Sequence, residues 1–250
     1  MVVPAEIVKQ RVDFYSHITS SECDPQGITY EICRPKNIDA LIESLILSIE
    51  NSGETFDIIV CPLRGGKIPS ERVAEKLKLP IEEIGVSHYT SVEQAKEVVT
   101  IEKHFPEGID FTNRRILIVD DVNHSSLTLE AVIKEIERVG GERKNTKIAT
   151  LHKKPARRLE SDFCPRETTN WVVYPWEIES GEFFRDKVVD WKIFWGIPLE
   201  EAITRAIPKF KLMRFTPQEF AITKTSDFLE TCQEEYEKRR RNGEVNAGKP

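Results

Sequence analysis

The chain has 250 residues, of which 39% are hydrophobic and 31% are charged, and this composition is typical of a globular protein. A formal net charge of -6 argues against a general nucleic-acid binder, because such proteins usually carry a basic surface. No stretch approaches the roughly 20 apolar residues that a membrane span requires, and the charges near the start argue against a signal peptide. Five scattered cysteines without a CxxC pair favour reduced thiols, so we expect a cytoplasmic protein.

Strand and helix patterns alternate along the first two thirds of the chain. In chain order, they predict a helix over 37–50, a strand over 56–61, a helix over 70–77, strands over 84–88 and 115–119, a helix over 127–139, and strands over 147–151 and 171–174. Residues 91–113 are polar and mixed, and we expect a long excursion from the sheet there. Repeated strand–turn–helix units predict an α/β fold with a mainly parallel, five-stranded sheet and helices on both faces.

Glycine-rich or charged segments follow three of the predicted strands. They are the turn Arg64-Gly65-Gly66, the pair Asp120-Asp121 and the stretch Lys153-Lys154-Pro155. Ligands bind beyond the carboxyl ends of the strands of a parallel sheet. We therefore expect these three segments to meet at one edge of the sheet.

The segment ILIVDDVNHSSLT, residues 116–128, joins a buried strand to a helix through two acids and a polar loop. Backbone N–H groups and the positive end of a helix dipole suit a phosphate here, with hydroxyl donors from Ser125, Ser126 and Thr128. Asp120 and Asp121 would accept hydrogen bonds from ribose hydroxyls or hold a hydrated Mg²⁺. The alternative is an acidic strand end followed by a serine-capped helix with no ligand.

This segment resembles the phosphoribosyl-pyrophosphate (PRPP) signature of type I phosphoribosyltransferases. That signature consists of a hydrophobic strand, two acids, an aliphatic residue, two variable positions and a Thr-Gly-x-Thr turn. Ser125-Ser126 stands here in place of Thr-Gly, and His124 stands where the purine enzymes have Asp. If the φ angle of Ser126 is positive, the backbone strain costs on the order of 1 kcal/mol, since glycine tolerates that conformation better.

Further stretches resemble the same family. CPLRGGKIP, residues 61–69, is similar to its pyrophosphate loop, and VSHYTS, residues 86–91, to the start of its flexible hood. KKPARRLESDF and TTNWVVYPWE resemble the xanthine-guanine phosphoribosyltransferases and their archaeal purine relatives. This resemblance implies that Lys154 donates to a purine 6-oxygen. It also implies that Trp171 or Val172 stacks on the ring and that Glu177 lies near the 2-substituent.

The resemblance covers about residues 35–180 and implies the type I phosphoribosyltransferase fold for that domain. Residues 1–34 would then be an N-terminal extension, and residues 181–250 a mostly helical C-terminal appendage. Within the appendage we expect a charged helix over 225–241, whose KRRR end is solvated, and a disordered tail over 242–250.

The activity implied is transfer of ribose 5-phosphate from Mg-PRPP to guanine, xanthine or hypoxanthine, with release of pyrophosphate. The implied catalytic residues are His124, Asp121 and Arg64, and Asp120 and Asp121 would bind Mg²⁺ directly or through water. The implied PRPP site consists of Leu63, Arg64, Gly65, Gly66, Asp120, Asp121, Asn123, Ser125, Ser126, Leu127 and Thr128. The resemblance also implies a homodimer or a higher homo-oligomer.

The two departures from the PRPP signature leave alternatives open. His124 could replace the usual acid–base residue, mark a changed substrate preference, or mark a site that binds a nucleotide without transfer. The second hypothesis is therefore a catalytically weak module that senses PRPP or a nucleotide and regulates a partner through the appendage. A third is hydrolysis of an N-ribosyl bond, for which the sequence offers no dedicated water-activating pair.

Overall fold

The computed structural model describes residues 17–91 and 96–241, which form two compact units. The first unit is built from 36–89 and 98–169, and the second mainly from 17–35 and 170–241. In chain order, the strands are β1 (His17–Ile18), β2 (Tyr30–Ile32), β3 (Ile58–Leu63), β4 (Ile81–Ser91), β5 (Lys96–Lys103), β6 (Ile116–Asn123), β7 (Thr146–Lys153), β8 (Arg166–Glu167) and β9 (Trp171–Val173). The α-helices are α1 (Pro35–Ser52), α2 (Lys67–Leu77), α3 (Leu127–Arg138), α4 (Pro175–Glu179), α5 (Glu182–Trp195), α6 (Leu199–Leu212) and α7 (Ser226–Arg241).

The first unit has an α/β fold around a six-stranded sheet in the order β5-β4-β3-β6-β7-β8. The pairs β4–β3, β3–β6, β6–β7 and β7–β8 are all parallel, as the repeated strand–turn–helix pattern predicts. Leu129, Val132 and Ile136 lie on one face of α3 and pack into the same core as Val60 of β3 and Ile118 of β6. This apolar stripe holds the start of α3 next to the carboxyl end of β6.

This sheet does not consist of the five strands that the sequence predicts. The stretch 91–113 is not only an excursion, because it contains β5, which pairs with β4 at the edge of the sheet. A Cβ atom on Gly85 of β4 would lie 2.7 Å from the Cβ atom of Lys103, so glycine allows close approach at this pairing. The β-branched residues of KEVVTIEK, residues 96–103, are the local signal for this strand.

The second unit contains its own three-stranded sheet in the order β1-β2-β9. The strand predicted over 171–174 belongs to this sheet and not to the main one, which corrects the predicted fifth strand. Trp171 is the register partner of Tyr30, and Val173 is that of Ile32, in a parallel pair. Because the two partners are far apart in sequence, local pattern could not assign β9 to its sheet.

Aromatic residues dominate the core of the second unit. Phe184 and Trp191 of α5 contact Phe210 of α6, with ring centroids 4.9 and 5.4 Å apart. Trp191 also donates from Nε1 to Asp24 Oδ2 over 3.1 Å, and Tyr30 donates its hydroxyl to the same oxygen over 2.6 Å. Trp191 is therefore a structural residue of this core.

The basic end of α7 forms ion pairs within the second unit. Arg239 contacts Asp190 of α5 and Glu235, and only 15% of its side chain is exposed. Arg240 contacts Glu237, and 57% of its side chain is exposed. The expectation of a solvated helix end is therefore wrong for Arg239, because its guanidinium reaches a carboxylate on another helix.

No helix within residues 17–91 and 96–241 is both long and apolar enough to cross a membrane. The predicted disordered tail, residues 242–250, and the charged start of the chain lie outside the described residues.

Candidate active site

The turn after β3 and the acid pair of β6 lie against each other. A Cβ atom on Gly65 would come within 2.3 Å of Asp121 Oδ2, and one on Gly66 within 3.0 Å of Asp120 Oδ1 and 2.8 Å of the Val119 carbonyl oxygen. The peptide bond between Leu63 and Arg64, at the start of the turn, is cis. Since β3 and β6 are parallel neighbours, their carboxyl ends meet at one edge of the sheet, and only glycine fits at the turn.

The acid pair belongs to strand β6, which continues to Asn123. Asp120 is 6% exposed, its Oδ1 accepts the Asp121 N–H over 2.9 Å, and Asp121 is partly buried. Burial raises the pKa of both carboxyl groups, and the charge of Asp121 raises the pKa of Asp120 further. A bound cation would favour the ionised forms that burial disfavours. Two carboxylates supply the oxygen ligands that Mg²⁺ prefers, so these residues fit that ion.

The loop between β6 and α3 contains a strained serine. Ser126 has φ 71° and ψ 0°, in the left-handed region, and it is the residue before the first turn of α3. The condition for backbone strain is therefore met, at a cost on the order of 1 kcal/mol relative to glycine. The conformation turns the chain directly into α3, whose free N–H groups and positive dipole end suit a phosphate.

The side chains of Ser126 and Asn123 form hydrogen bonds with other residues of the chain. This finding corrects part of the predicted set of phosphate donors. The Ser126 hydroxyl donates to Asn123 Oδ1 over 2.8 Å and accepts the N–H groups of Arg158 and Leu159 over 3.1 and 2.9 Å. Asn123 Nδ2 in turn donates to the Leu159 carbonyl oxygen over 2.8 Å. Because its one proton is already donated, the Ser126 hydroxyl is not an extra phosphate donor. Backbone contacts of these two residues with PRPP stay a prediction.

The other predicted residues of this loop are more accessible. His124 is exposed, and Ser125, Leu127 and Thr128 are partly buried. They occupy the segment between the acid pair and the first turn of α3, where a phosphate would meet the helix dipole. Their contacts with PRPP and the acid–base role of His124 stay predictions.

Lys154 follows β7, the neighbour of β6 on the other side from β3. It is 9% exposed, its backbone N–H donates to the Asn123 carbonyl oxygen over 2.9 Å, and its carbonyl oxygen accepts from Arg157 over 2.7 Å. The strand order β3-β6-β7 thus brings the glycine turn, the acid pair and the lysine stretch to one edge of the first unit, as the sequence predicts.

The remaining predicted purine contacts belong to the second unit. Trp171 is 48% exposed, whereas Val172 is buried. Glu177 Oε2 accepts the Tyr174 N–H over 2.7 Å and caps the start of α4. This gives Glu177 a structural role that the Pro and Glu at the first turn of α4 could have revealed. Its place near a purine 2-substituent stays a prediction.

Sequence reasoning missed a buried cation beside Trp171. Lys187 of α5 is 6% exposed, and its Nζ atom lies 5.9 Å from the ring centroid of Trp171 and 5.5 Å from that of Tyr30. It also pairs with Asp190. Lys187 therefore supports the indole ring within the second unit through cation–π contact. No local pattern in the sequence distinguishes this lysine from a surface lysine of α5.

Comparisons with known proteins agree with this geometry. The family described as "Phosphoribosyl transferase domain" matches residues 31–182. Xanthine phosphoribosyltransferase 1 of Saccharomyces cerevisiae is 26% identical over 185 aligned positions, and the match covers 58% of this chain and 88% of the yeast protein. Adenine phosphoribosyltransferase of Thermotoga petrophila is 32% identical over 125 aligned positions, and the match covers 47% of this chain and 74% of that protein. The crystal structure of purine phosphoribosyltransferase from Pyrococcus horikoshii Ot3 has a TM-score of 0.51 and 30% identity, over 59% of this chain and 93% of that chain.

Proposed function

We propose that this chain, which belongs to the phosphoribosyl transferase domain family, transfers ribose 5-phosphate from Mg-PRPP to a 6-oxopurine. The observation that carries the proposal is the contact between the glycine turn and the acid pair. Gly65 lies against Asp121, and Gly66 lies against Asp120. A diphosphate bound along the glycine backbone would therefore lie beside the carboxylates that bind the ribose.

In the proposed reaction, the bond from ribose C1 to the pyrophosphate oxygen breaks, and a bond from C1 to a purine nitrogen forms. Arg64 would neutralise charge on the departing pyrophosphate, and the start of α3 would bind the 5-phosphate. Asp120 and Asp121 would accept the ribose hydroxyls and hold Mg²⁺ directly or through water. The ion, when bound, supplies further positive charge next to the diphosphate. This work is mainly positioning and electrostatic stabilisation.

His124 is our candidate for the group that handles the proton at purine N7. It is exposed and lies between the acid pair and the start of α3. An imidazole with an ordinary pKa near neutrality is a capable acid and base, and such groups contribute about 10²-fold to 10⁴-fold to a rate. His124 would therefore replace the acidic residue that the purine enzymes have at this position.

A 6-oxopurine is favoured over adenine by Lys154, because an ammonium group can donate to a 6-oxygen but cannot accept from a 6-amino group. The relative from Saccharomyces cerevisiae is named for xanthine, and that from Thermotoga petrophila for adenine, so the base must be measured. Purine stacking by Trp171 or Val172, a homodimer or higher homo-oligomer and a cytoplasmic location are parts of the same proposal.

The test is product formation from each of four bases. The purified protein is mixed with Mg²⁺, PRPP and guanine, xanthine, hypoxanthine or adenine, and nucleoside monophosphate is quantified by chromatography. We expect monophosphate from at least one 6-oxopurine and none from adenine. Product from adenine alone would contradict the proposed substrate class, and no product from any base would contradict the proposed transfer. Lys154→Met should lower kcat/KM for the 6-oxopurine at least tenfold.

The second candidate is a sensor that binds PRPP or a nucleotide with little turnover. The strained, side-chain-bonded Ser126 favours it, because this position normally needs glycine for close approach of backbone to phosphate. His124→Asp separates the two candidates. A lower kcat in this variant indicates an enzyme adapted to histidine, as we propose. A higher kcat indicates that His124 has weakened turnover, which is what the sensor candidate requires.

A further inference from the structure

We propose that Ser126 and Asn123 are positioning residues that hold the segment after Lys154 against the PRPP loop. We call their hydrogen bonds to this segment the Ser126 clamp. The inference rests on the proposed function, because it assigns a role to these residues in placing Lys154 for the purine. In this account, the serine that departs from the family signature is not a weakened phosphate ligand but the centre of a link between two parts of the site.

The Ser126 clamp is defined by four buried or partly buried hydrogen bonds. The Ser126 hydroxyl donates to Asn123 Oδ1 and accepts the N–H groups of Arg158 and Leu159, over 2.8, 3.1 and 2.9 Å. Asn123 Nδ2 donates to the Leu159 carbonyl oxygen over 2.8 Å. Ser126 and Asn123 are 3% and 1% exposed, so water does not compete for these contacts. The clamp therefore fixes the backbone at residues 158 and 159.

The clamped segment has further attachments at both of its ends. At its start, the Lys154 N–H donates to the Asn123 carbonyl oxygen over 2.9 Å. At its end, Asn123 Nδ2 lies 3.2 Å from Ser161 Oγ, which also accepts from Thr150 of β7 over 2.9 Å. The residues between Lys154 and Ser161 are thus held to the end of β6 at the start, in the middle and at the end. A change at Ser126 releases only the bonds from the Arg158 and Leu159 N–H groups and leaves the attachments at Lys154 and Ser161 in place.

The strain at Ser126 explains why the clamp can be tested without unfolding the protein. Glycine at this position would lose the hydroxyl contacts but would relieve the unfavourable φ of 71°. The two effects on stability have opposite signs, so Ser126→Gly should stay close to the wild type in Tm. Ser126→Ala loses the same contacts and keeps the strained φ, so it should be the less stable variant. The effect of losing the clamp can therefore be measured in Ser126→Gly without a large loss of stability.

The experiment combines amide hydrogen exchange with steady-state kinetics on the full chain. We expect Ser126→Gly to accelerate exchange of the Arg158 and Leu159 amides at least tenfold, because their acceptor is removed. We also expect KM for the 6-oxopurine to rise about tenfold, without a rise in KM for PRPP. Asn123→Ala should also raise KM for the 6-oxopurine, because it removes the acceptor of the Ser126 hydroxyl and the bonds to Leu159 and Ser161. The effects of the two changes should not add in the double variant, since both residues hold the same segment.

Ser125→Ala is the matched control for exchange, because it removes the neighbouring hydroxyl, which is not part of the clamp. It should leave exchange at Arg158 and Leu159 unchanged. Unchanged exchange at these amides in Ser126→Gly would overturn the proposal. A rise in KM for PRPP alone would also overturn it, since Ser126 would then act on the phosphate. If the wild type forms no product with any base, the proposed function fails, and the exchange result still decides whether the clamp exists.

Discussion

Gly65 lies so close to Asp121 that a Cβ atom on the glycine would come within 2.3 Å of the Asp121 carboxylate oxygen. This contact joins the turn after β3 to the end of β6. We expect Gly65→Ala to displace the Asp121 carboxylate and to lower kcat/KM for PRPP at least 100-fold, because the diphosphate and ribose contacts lose their relative placement. Steady-state kinetics with a saturating base checks this prediction.

Gly27→Ala is the control for Gly65→Ala. Gly27 has a φ of 73°, and a Cβ atom added there would meet no atom within 4 Å beyond its chain neighbours. Alanine there should cost about 1 kcal/mol of stability through backbone strain and should leave KM for PRPP unchanged. Equal losses of PRPP kinetics in the two variants would contradict a specific role for Gly65.

Replacing Asp120 should stabilise the metal-free protein at neutral pH. Burial, and then the charge of Asp121, raise the pKa of Asp120, so the folded state binds its proton more tightly than the unfolded state does. The stability that this bound proton contributes is fully present below the ordinary pKa of an aspartate. It is lost as the pH rises through the raised pKa of Asp120 in the folded state. Asp120→Asn should therefore have a higher Tm than the wild type at pH 7 to 8, and the difference should shrink towards pH 4. Thermal unfolding in EDTA checks this, and a lower Tm for the variant at pH 8 would contradict it.

Asp57→Asn should show the opposite pH dependence. Hydrogen bonds from the Arg115 side chain and then from its backbone lower the pKa of Asp57 to about 2. The stability from this carboxylate is therefore present above its ordinary pKa and is lost as the pH falls towards 2. The variant should have a lower Tm than the wild type at pH 7, and the two Tm values should converge in acid. The same unfolding series measures both variants.

Arg239→Ala should destabilise the second unit by about 2 to 3 kcal/mol, because it leaves Glu235 without a buried charge partner and Asp190 with Lys187 alone. Arg240→Ala is the matched control on the same helix, since Arg240 is 57% exposed and makes a surface pair with Glu237. It should leave the unfolding free energy unchanged within error. Denaturant unfolding measures the loss of unfolding free energy in each variant. Equal losses would contradict the claim that the buried pairs of Arg239 stabilise the unit more than the exposed pair of Arg240 does.

Local sequence predicted the four central strands of the first unit because its strands and helices alternate along the chain, but it missed the edge strands β5 and β8. The glycine turn, the acid pair and Lys154 could be assigned to one edge since β3, β6 and β7 are parallel neighbours. The pairing of Trp171 with Tyr30 could not be predicted, because it joins residues far apart in sequence. The hydrogen-bond partners of the Ser126 side chain could not be predicted for the same reason, since Arg158 and Leu159 approach it only in the folded chain.

The most direct test of transfer is to count both products of the same reaction. PRPP and a saturating 6-oxopurine are incubated with the protein and Mg²⁺, and pyrophosphate and nucleoside monophosphate are quantified together. We predict equal amounts of the two products, both dependent on the base and both lost in Asp121→Asn. Pyrophosphate without monophosphate would show hydrolysis of PRPP, and neither product would show a site that does not turn over. Either result would contradict a purine phosphoribosyltransferase.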